Sequence, residues 1–245
     1  MHINKCEVCD FNELTPVLDL GWHPLCDDLV ELGSDRKCEE FPIEIGFCTN
    51  CCTAHQLNVV PKETLFPKTY HYRARMTGSV LSGMEDLVRS CVDHLGTLNG
   101  KTVLDVGCND GSLLNFFEEA GAKCLGVEPT NAAKESTHIT YNQFFDTETA
   151  QKILDDHGKI DIITFTNVFA HIEDLPTLLK NVARLLKEDG TLVVENHYLG
   201  TVLETGQFDT FYHEHPRTYS EKSFRHIASS LERRVSKIEY VSRYG

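Results

Sequence analysis

The stretch GQFDTFYHEHP at residues 206–216 holds five aromatic or imidazole side chains and two carboxylates. It has no amphipathic period. A loop that only connects elements would draw on Gly, Ser, Asn and Asp rather than on Phe-Tyr-His-Glu-His. Imidazoles and carboxylates at this density are suited to proton transfer. His213 and His215 also form a His-x-His pair of the kind metals use, but no third ligand stands at a useful spacing. An isolated histidine is more often a satisfied core or surface residue than a catalyst, so the loop gains a role only through its surroundings.

A second chemical signal lies near the N-terminus. Cys6 and Cys9 form one C-x2-C pair, and Cys48 and Cys51 form another. Each such turn offers two thiolates from one compact loop, and two turns complete the tetrahedron that zinc prefers. Residues 1–60 carry seven of the ten cysteines and no long periodic helix, so a metal would staple a lobe with little core of its own. Structural zinc is therefore expected on Cys6, Cys9, Cys48 and Cys51, in preference to four buried free thiols. Cys52 is an alternative to Cys51. Cys26, Cys38, Cys91, Cys108 and Cys124 read as core thiols.

The third signal is VLDVGCNDGSLL, residues 103–114, which follows a strand pattern and opens a helix. Gly107 and Gly111 permit a tight backbone turn beside a ligand, and the helix start supplies unpaired N–H groups. Glu128 ends the next strand, where an acidic side chain meets ribose hydroxyls in this topology. The spacing is not G-x-G-x-x-G, and Asp110 stands where a pyrophosphate would be repelled. An acidic loop suits a cation-bearing nucleoside better than a dinucleotide. D-x-G-x-N-D-G followed by Glu128 resembles the S-adenosylmethionine loop of class I methyltransferases. That resemblance implies Asp105, Gly107 and Asn109 against the amino-acid end of the cofactor, Glu128 on its ribose, and Asn167 beside the methyl donor. An ordinary tight turn at Gly107 and loop-capping amides at Asn109 and Asn167 are the competing readings.

These groups need elements to position them. Residues 74–95 place Val80, Leu81, Met84, Leu87, Val88, Cys91, Val92 and Leu95 at helical spacing. From residue 102 onward, strand patterns at 102–107, 123–129, 139–145, 160–169 and 191–199 alternate with helical ones at 112–121, 147–158 and 174–190, the last stopped by Gly190. Regular β-α alternation predicts an α/β fold, an open parallel Rossmann-like sheet with helices on both faces. Ligands in such sheets sit beyond the carboxyl ends of the strands. His171 and the segment 200–219 both leave from that edge, so the imidazole cluster is expected to face the methyl group. The expected domains are a zinc-binding lobe at 1–70 and a methyltransferase domain at 71–245.

The net charge of −14 with no basic run argues against nucleic acid as a partner. No apolar run approaches the ~20 residues that span a bilayer. The start MHINKCEVCD lacks a basic-then-apolar signal segment, so the expected location is cytoplasmic. Oligomeric state is not legible.

The two C-x2-C pairs, LDLGWHPLCDD, DVGCNDGSLL, NVFAHI and GQFDTFYHEH followed by YS stand in an order that resembles the SAM-dependent sugar C-methyltransferases, which make branched deoxysugars from nucleotide-linked ketosugars. The resemblance covers nearly the whole chain and implies a nucleotide-sugar substrate. It implies that a base removes a proton beside a keto group and that the enolate attacks the sulfonium methyl. Carried over, His215 is the base, Tyr212 and Glu214 orient it or the sugar, His171 stabilises the enolate oxygen or shares proton transfer, and Tyr72 is a substrate-side donor. Helix capping by His171 and simple packing of Tyr72 are the bland counterparts. His197 lies on the fifth strand near the cofactor edge and is a candidate for substrate choice. The chain stops at YVSRYG, mid-strand by its pattern, whereas the family continues into a C-terminal domain that helps hold the nucleotide. That domain is expected to be lacking. Two other readings remain: O- or N-methylation of another small molecule, and a non-catalytic zinc-lobe binding protein.

Overall fold

The computed structural model describes residues 2–66, 68 and 70–241. Among them nine strands run in chain order as β1 (Thr15–Pro24), β2 (Glu40–Cys48), β3 (Thr53–Gln56), β4 (Thr102–Val106), β5 (Lys123–Val127), β6 (Ile139–Tyr141), β7 (Ile160–Thr166), β8 (Leu186–Glu195) and β9 (Arg217–Thr218). The helices are α1 (Lys62–Leu65), α2 (Gly78–Leu95), α3 (Ser112–Glu119), α4 (Thr147–His157), α5 (Leu175–Leu185), α6 (Leu199–Thr205) and α7 (Glu221–Ser230). The chain forms two compact units. One comprises Met1–Leu65, Phe169–Pro176 and Asn196–Ile238; the other comprises Phe66–Val168, Thr177–Glu195 and Glu239–Gly245.

The second unit carries a five-stranded sheet in the order β6-β5-β4-β7-β8, every neighbouring pair parallel. The strand order reverses between β4 and β7, which opens a crevice at their carboxyl ends. Right-handed crossovers then place α3 on one face and α4 and α5 on the other. On the α2–α3 side, Leu87, Val88 and Cys91 of α2 meet Leu113 and Phe117 of α3 over Val103 and Ile162 of the sheet. Burying one such side chain fully contributes about 1.5–3 kcal/mol.

The α/β expectation holds, with two local differences. The run 139–145 is paired only over Ile139–Tyr141. The helix expected to reach Gly190 ends at Leu185, and Leu186 joins the sheet opposite Ile160, with an irregularity before Thr191 takes up the pairing opposite Ile162. Strand pairing therefore competes successfully with a helical pattern over the last turn. The expected mid-strand run at the end of the chain has no regular structure at 240–241, and its remaining residues lie outside those described.

The first unit is built on a four-stranded sheet, β1-β2-β3-β9, antiparallel throughout. Both faces of β3 are buried and β1 carries two register shifts, so neither strand shows the simple alternation of a half-buried strand. Ile43, Ile45 and Ala54 of this sheet pack with Leu199 and Val202 of α6 and with Phe211. The closing strand, β9, comes from the residues just after His215. The segment that looked like an unusual loop thus leads directly into the cysteine lobe's sheet, its last residue, Pro216, accepting from Gln56 N at 2.9 Å.

Candidate active site

Cys6 and Cys9 lie in a turn near the N-terminus, and Cys48 and Cys51 flank the β2–β3 turn. Both turns have the same geometry. The N–H of Asp10 donates to the carbonyl of Cys6 at 3.0 Å, and the N–H of Cys52 donates to the carbonyl of Cys48 at 2.8 Å. Asp10 and Cys52 both sit at positive φ, +60° and +57°. Cys52 therefore closes its turn in the left-handed conformation, and Cys51 points its sulfur into the cluster. The four sulfurs of Cys6, Cys9, Cys48 and Cys51 lie within 4.8 Å of one another, with Cys6–Cys51 at 3.4 Å and Cys9–Cys48 at 3.6 Å. Zn–S bonds of about 2.3 Å in a tetrahedron give edges of about 3.8 Å, so the set fits zinc. The surroundings also suit thiolates. Asn50 Nδ2 donates to Cys9 Sγ at 3.3 Å, Thr53 Oγ1 lies 3.0 Å from Cys51 Sγ, and His55 Nε2 lies 3.3 Å from Cys6 Sγ. A hydrogen bond from Cys6 pulls the Cys51 thiol down to about 5, and the same contact pushes Cys6 up.

In the same unit the run from His213 to Tyr219 is buried, and buried polar groups need partners. Arg217, fully buried, pairs with Glu7 of the first cysteine turn, donates to the carbonyl of Ile172, and reaches the Tyr219 hydroxyl at 3.0 Å. This one guanidinium ties the cysteine turn, the segment after His171 and β9 together. His213 spends its Nε2 on the carbonyl of Phe41 at 3.0 Å and meets the Phe41 ring edge-on. That is a structural role, and the His-x-His metal reading gains no support: among the described residues the four-cysteine set is the one group arranged to hold an ion.

His215 is different. Its Nδ1 lies 2.9 Å from the carbonyl of Thr210, so Nδ1 carries the proton and Nε2 the lone pair, 3.2 Å from the Tyr212 hydroxyl. Three rings surround it: Tyr212 at 4.3 Å, His171 at 4.8 Å and His197 at 5.4 Å between centroids. Burial, reinforced by His171 and His197, pushes His215 down to about 3. His171 Nδ1 donates to the carbonyl of Glu214 at 2.8 Å and lies 3.9 Å from its carboxylate. Burial raises the Glu214 carboxyl above the ordinary glutamate range. Of the residues expected in proton transfer, His215, Tyr212, Glu214 and His171 therefore come together. Tyr72 belongs to the other unit, where its carbonyl accepts from Asn109 Nδ2 at 3.2 Å and its ring is about half exposed.

The remaining expected residues line the switch point of the parallel sheet. Gly107 follows β4 at φ +76°, and a Cβ there would meet Val168 at 2.4 Å, so only glycine fits. Asn109 and Asn167 stand at φ +50° and +54°, sparsely populated for non-glycine residues. The side chain of Asn109 accepts from Ala74 N at 3.0 Å, while its own N–H donates to Glu128 at 3.0 Å. Glu128, buried, also accepts from Thr130 N at 2.9 Å. Asp105 is buried against Thr164, whose hydroxyl donates to it at 2.7 Å; burial, with Glu128 nearby, pushes it up to about 7. Two buried carboxyls that form no ion pair with a cationic side chain among the described residues make a fitting host for a positively charged ligand. Asp110 accepts from Ser112 at the start of α3 and from Arg75 N.

Sequence reasoning missed three contributors. Cys26 is exposed rather than a core thiol, and its sulfur donates to Glu214 at 2.8 Å. Arg217 and His55 gave no signal, since nothing near them in sequence announces their partners.

Comparison with known proteins agrees with this geometry. Residues 80–231 match a methyltransferase domain family, and residues 6–66 match a family described as a zinc binding domain. The chain is 31% identical over 248 residues to the C-methyltransferase NovU of Streptomyces niveus, covering 99% of this chain and 59% of that protein. It is 31% identical over 105 residues to a ubiquinone biosynthesis O-methyltransferase of Rhodopseudomonas palustris (strain BisB5), 41% of each chain. The chain thus spans less than two thirds of the length of these relatives. Among solved structures, the PH0226 protein of Pyrococcus horikoshii OT3 aligns with a TM-score of 0.51 at 17% identity, covering 71% of this chain and 90% of that one. The described residues include no helix long and apolar enough to cross a membrane. With its domain matched over 80–231, its parallel sheet and its acidic switch point, the chain belongs to the S-adenosylmethionine-dependent methyltransferase domain family and carries an N-terminal zinc-binding domain.

Proposed function

We propose that this chain transfers a methyl group from S-adenosylmethionine to a carbon of a nucleotide-linked ketosugar through an enolate of the sugar. The observation that carries this reading is the state of His215. Its Nδ1–H is committed to the Thr210 carbonyl, and its neutral Nε2 is directed at the Tyr212 hydroxyl among two further imidazoles. A positioned neutral imidazole can take a proton from carbon, which neither O- nor N-methylation requires of its acceptor. The relative named as a C-methyltransferase, similar over nearly the whole chain, supports carbon as the acceptor. The ketosugar rests on the sequence resemblance.

In this reading Asp105, Gly107, Asn109, Glu128 and Asn167 hold the cofactor, which supplies an electrophilic methyl on a sulfonium. His215 removes the proton beside the keto group. Its low proton affinity in the free protein rises as negative charge develops on the substrate next to it. Tyr212 holds the Nε2 direction and passes its hydroxyl contact to the substrate. His171 keeps its Nδ1–H on the Glu214 carbonyl, so its Nε2 shares the proton that His215 removes and, once protonated, donates toward the developing enolate oxygen, while Glu214 orients these rings. Zinc on Cys6, Cys9, Cys48 and Cys51 folds the sheet that β9 completes.

The test is solvent deuterium exchange. With S-adenosylhomocysteine in place of the methyl donor, the enzyme should exchange the proton alpha to the keto group of a nucleotide-linked ketosugar, and the His215→Gln variant should not. Absence of exchange in the wild type, alongside methylation of a hydroxyl or amine, would replace this reading with O- or N-methyl transfer. That alternative draws on relatives matching about two fifths of the chain, 41% for the Rhodopseudomonas palustris protein.

A further inference from the structure

Cys26 follows β1, at the beginning of the segment that leads to β2, and stands 188 residues from Glu214 in sequence. Its Sγ nevertheless donates to Glu214 Oε1 at 2.8 Å. Cys26 is exposed, whereas Glu214 is buried. The other carboxyl oxygen, Oε2, lies 3.9 Å from His171 Nδ1, and the same nitrogen holds the Glu214 carbonyl at 2.8 Å. Glu214 is thus gripped from two elements, by its main chain from the 169–171 turn and by its side chain from the cysteine lobe.

We propose that Cys26 is a positioning residue for Glu214: its thiol proton fixes Oε1 and thereby turns Oε2 toward His171. The cysteine lobe then contributes a side chain to the proton-transfer cluster in addition to folding around zinc. The choice of sulfur has a physical sense. A thiol donates one proton and little else, so it fixes a carboxylate without the bulk or charge of lysine or arginine. The titratable groups facing Glu214 are Cys26 and Asp27 from the segment after β1 and His171 from its turn. Although the residue as a whole is exposed, partial desolvation of its sulfur, together with the neighbouring Glu214 carboxylate, pushes the Cys26 thiol up to about 12, so the proton stays on sulfur across the neutral range. Cys26 is accordingly a donor and not a nucleophile, since reactivity belongs to the thiolate.

This role rests on Glu214 and His171 belonging to the site, but its test needs no substrate. In the full chain, alkylation of Cys26 by iodoacetamide, followed peptide by peptide with mass spectrometry at pH 8, should be slow. The Glu214→Gln variant should speed it by about ten-fold or more, because a neutral partner no longer opposes the thiolate. Equal rates would overturn the contact. Independently, the Glu214 carboxyl can be titrated by carbon-13 NMR, its signal assigned from its loss in Glu214→Gln. Cys26→Ala should raise its midpoint by about one pH unit, since a hydrogen bond to the carboxylate favours the charged form, and Cys26→Ser should restore it. An unchanged midpoint in Cys26→Ala, or in Cys26→Ser relative to wild type should the alanine variant fail to fold, with no change in Cys26 alkylation, overturns the proposal. If deuterium exchange fails while both signatures appear, the ketosugar chemistry falls and the Cys26–Glu214 clamp stands.

Discussion

After β4 the chain buries carboxyls, and before β9 it buries imidazoles. In the first region, burial drives Asp105 up to about 7, and the surrounding loop is shaped by backbone: a glycine at positive φ, two asparagines in the left-handed region, and Glu128 accepting main-chain N–H groups. In the second, burial drives His215 down to about 3, and the shape comes from side chains anchored to backbone carbonyls, with Arg217 as the central tie. Both regions carry less charge than their composition suggests. The difference lies in what restores it. A buried carboxyl waits for a cation, whereas a buried imidazole stays ready to accept a proton. A chain that binds a sulfonium cofactor and abstracts a proton needs one of each.

The sharpest way to separate the regions is to remove the metal. Cys48→Ser, or chelation of zinc, should unfold the cysteine unit. Structural zinc sites contribute on the order of 10 kcal/mol to folding, and here β9 and the histidine loop depend on the same sheet. Loss of zinc by elemental analysis together with loss of hydrogen-exchange protection at 40–56 and 210–219 would record it. Calorimetric affinity for S-adenosylmethionine should persist. A parallel loss of affinity would show that the two regions are not energetically separate.

The next effect is catalytic. His215→Gln keeps a polar side chain but removes the proposed base, so on that proposal kcat should fall by about 10²–10⁴ while the cofactor's Kd stays within about two-fold. The mirror experiment is Asp105→Asn. Losing one charge-assisted contact should weaken cofactor binding by roughly 10–100-fold. For the wild type, affinity should also tighten as pH rises through about 7, because Asp105 is neutral below that point and anionic above it. The variant should show a flat profile over pH 6–8, and an identical slope in both would remove Asp105 from the cofactor site.

What the sequence disclosed follows from how local each signal is. TVLDVG, the turn at Gly107 and the acidic residue at Glu128 are local patterns, and strand β4, the glycine loop and β5 lie where those patterns put them. The cysteine spacing is equally local, and the knuckle geometry even explains why Cys51 and not Cys52 points inward. What stayed hidden depends on contacts across long stretches of chain. Cys26 reads as a core thiol because its partner is Glu214. Asp110 reads as a bare charge because one of its partners, the backbone N–H of Arg75, lies 35 residues earlier in the chain. His213 and His215 are two residues apart and look alike in sequence, yet one is tied to β2 and the other is ringed by imidazoles. A turn closed by the His215 N–H on the Tyr212 carbonyl at 3.0 Å sends them to different neighbours, and the sequence does not say which neighbours those are.

The smallest expected effect is the most specific to the comparison, because the two regions should respond to acid with opposite signs. His215 titrates near 6.5 when unfolded and near 3 when folded. The unfolded chain therefore binds more protons across that window, and the stability contributed by keeping the ring neutral is present above 6.5 and is lost as pH falls toward 3. Asp105 moves the other way, from 3.8 unfolded to about 7 folded. The folded state binds the extra proton, so its contribution is present at low pH and is lost as pH rises through 7. Between pH 7 and pH 5 each group shifts local stability by about 1–2 kcal/mol, in opposite directions. Hydrogen exchange resolved by peptide and corrected for the intrinsic pH dependence of amide exchange should show 210–219 losing protection on acidification while 103–109 gains it. His215→Gln should flatten the first trend alone and Asp105→Asn the second alone. A common sign in both segments would mean that burial does not set these two charges separately, and the contrast between the carboxyl region and the imidazole region would fail.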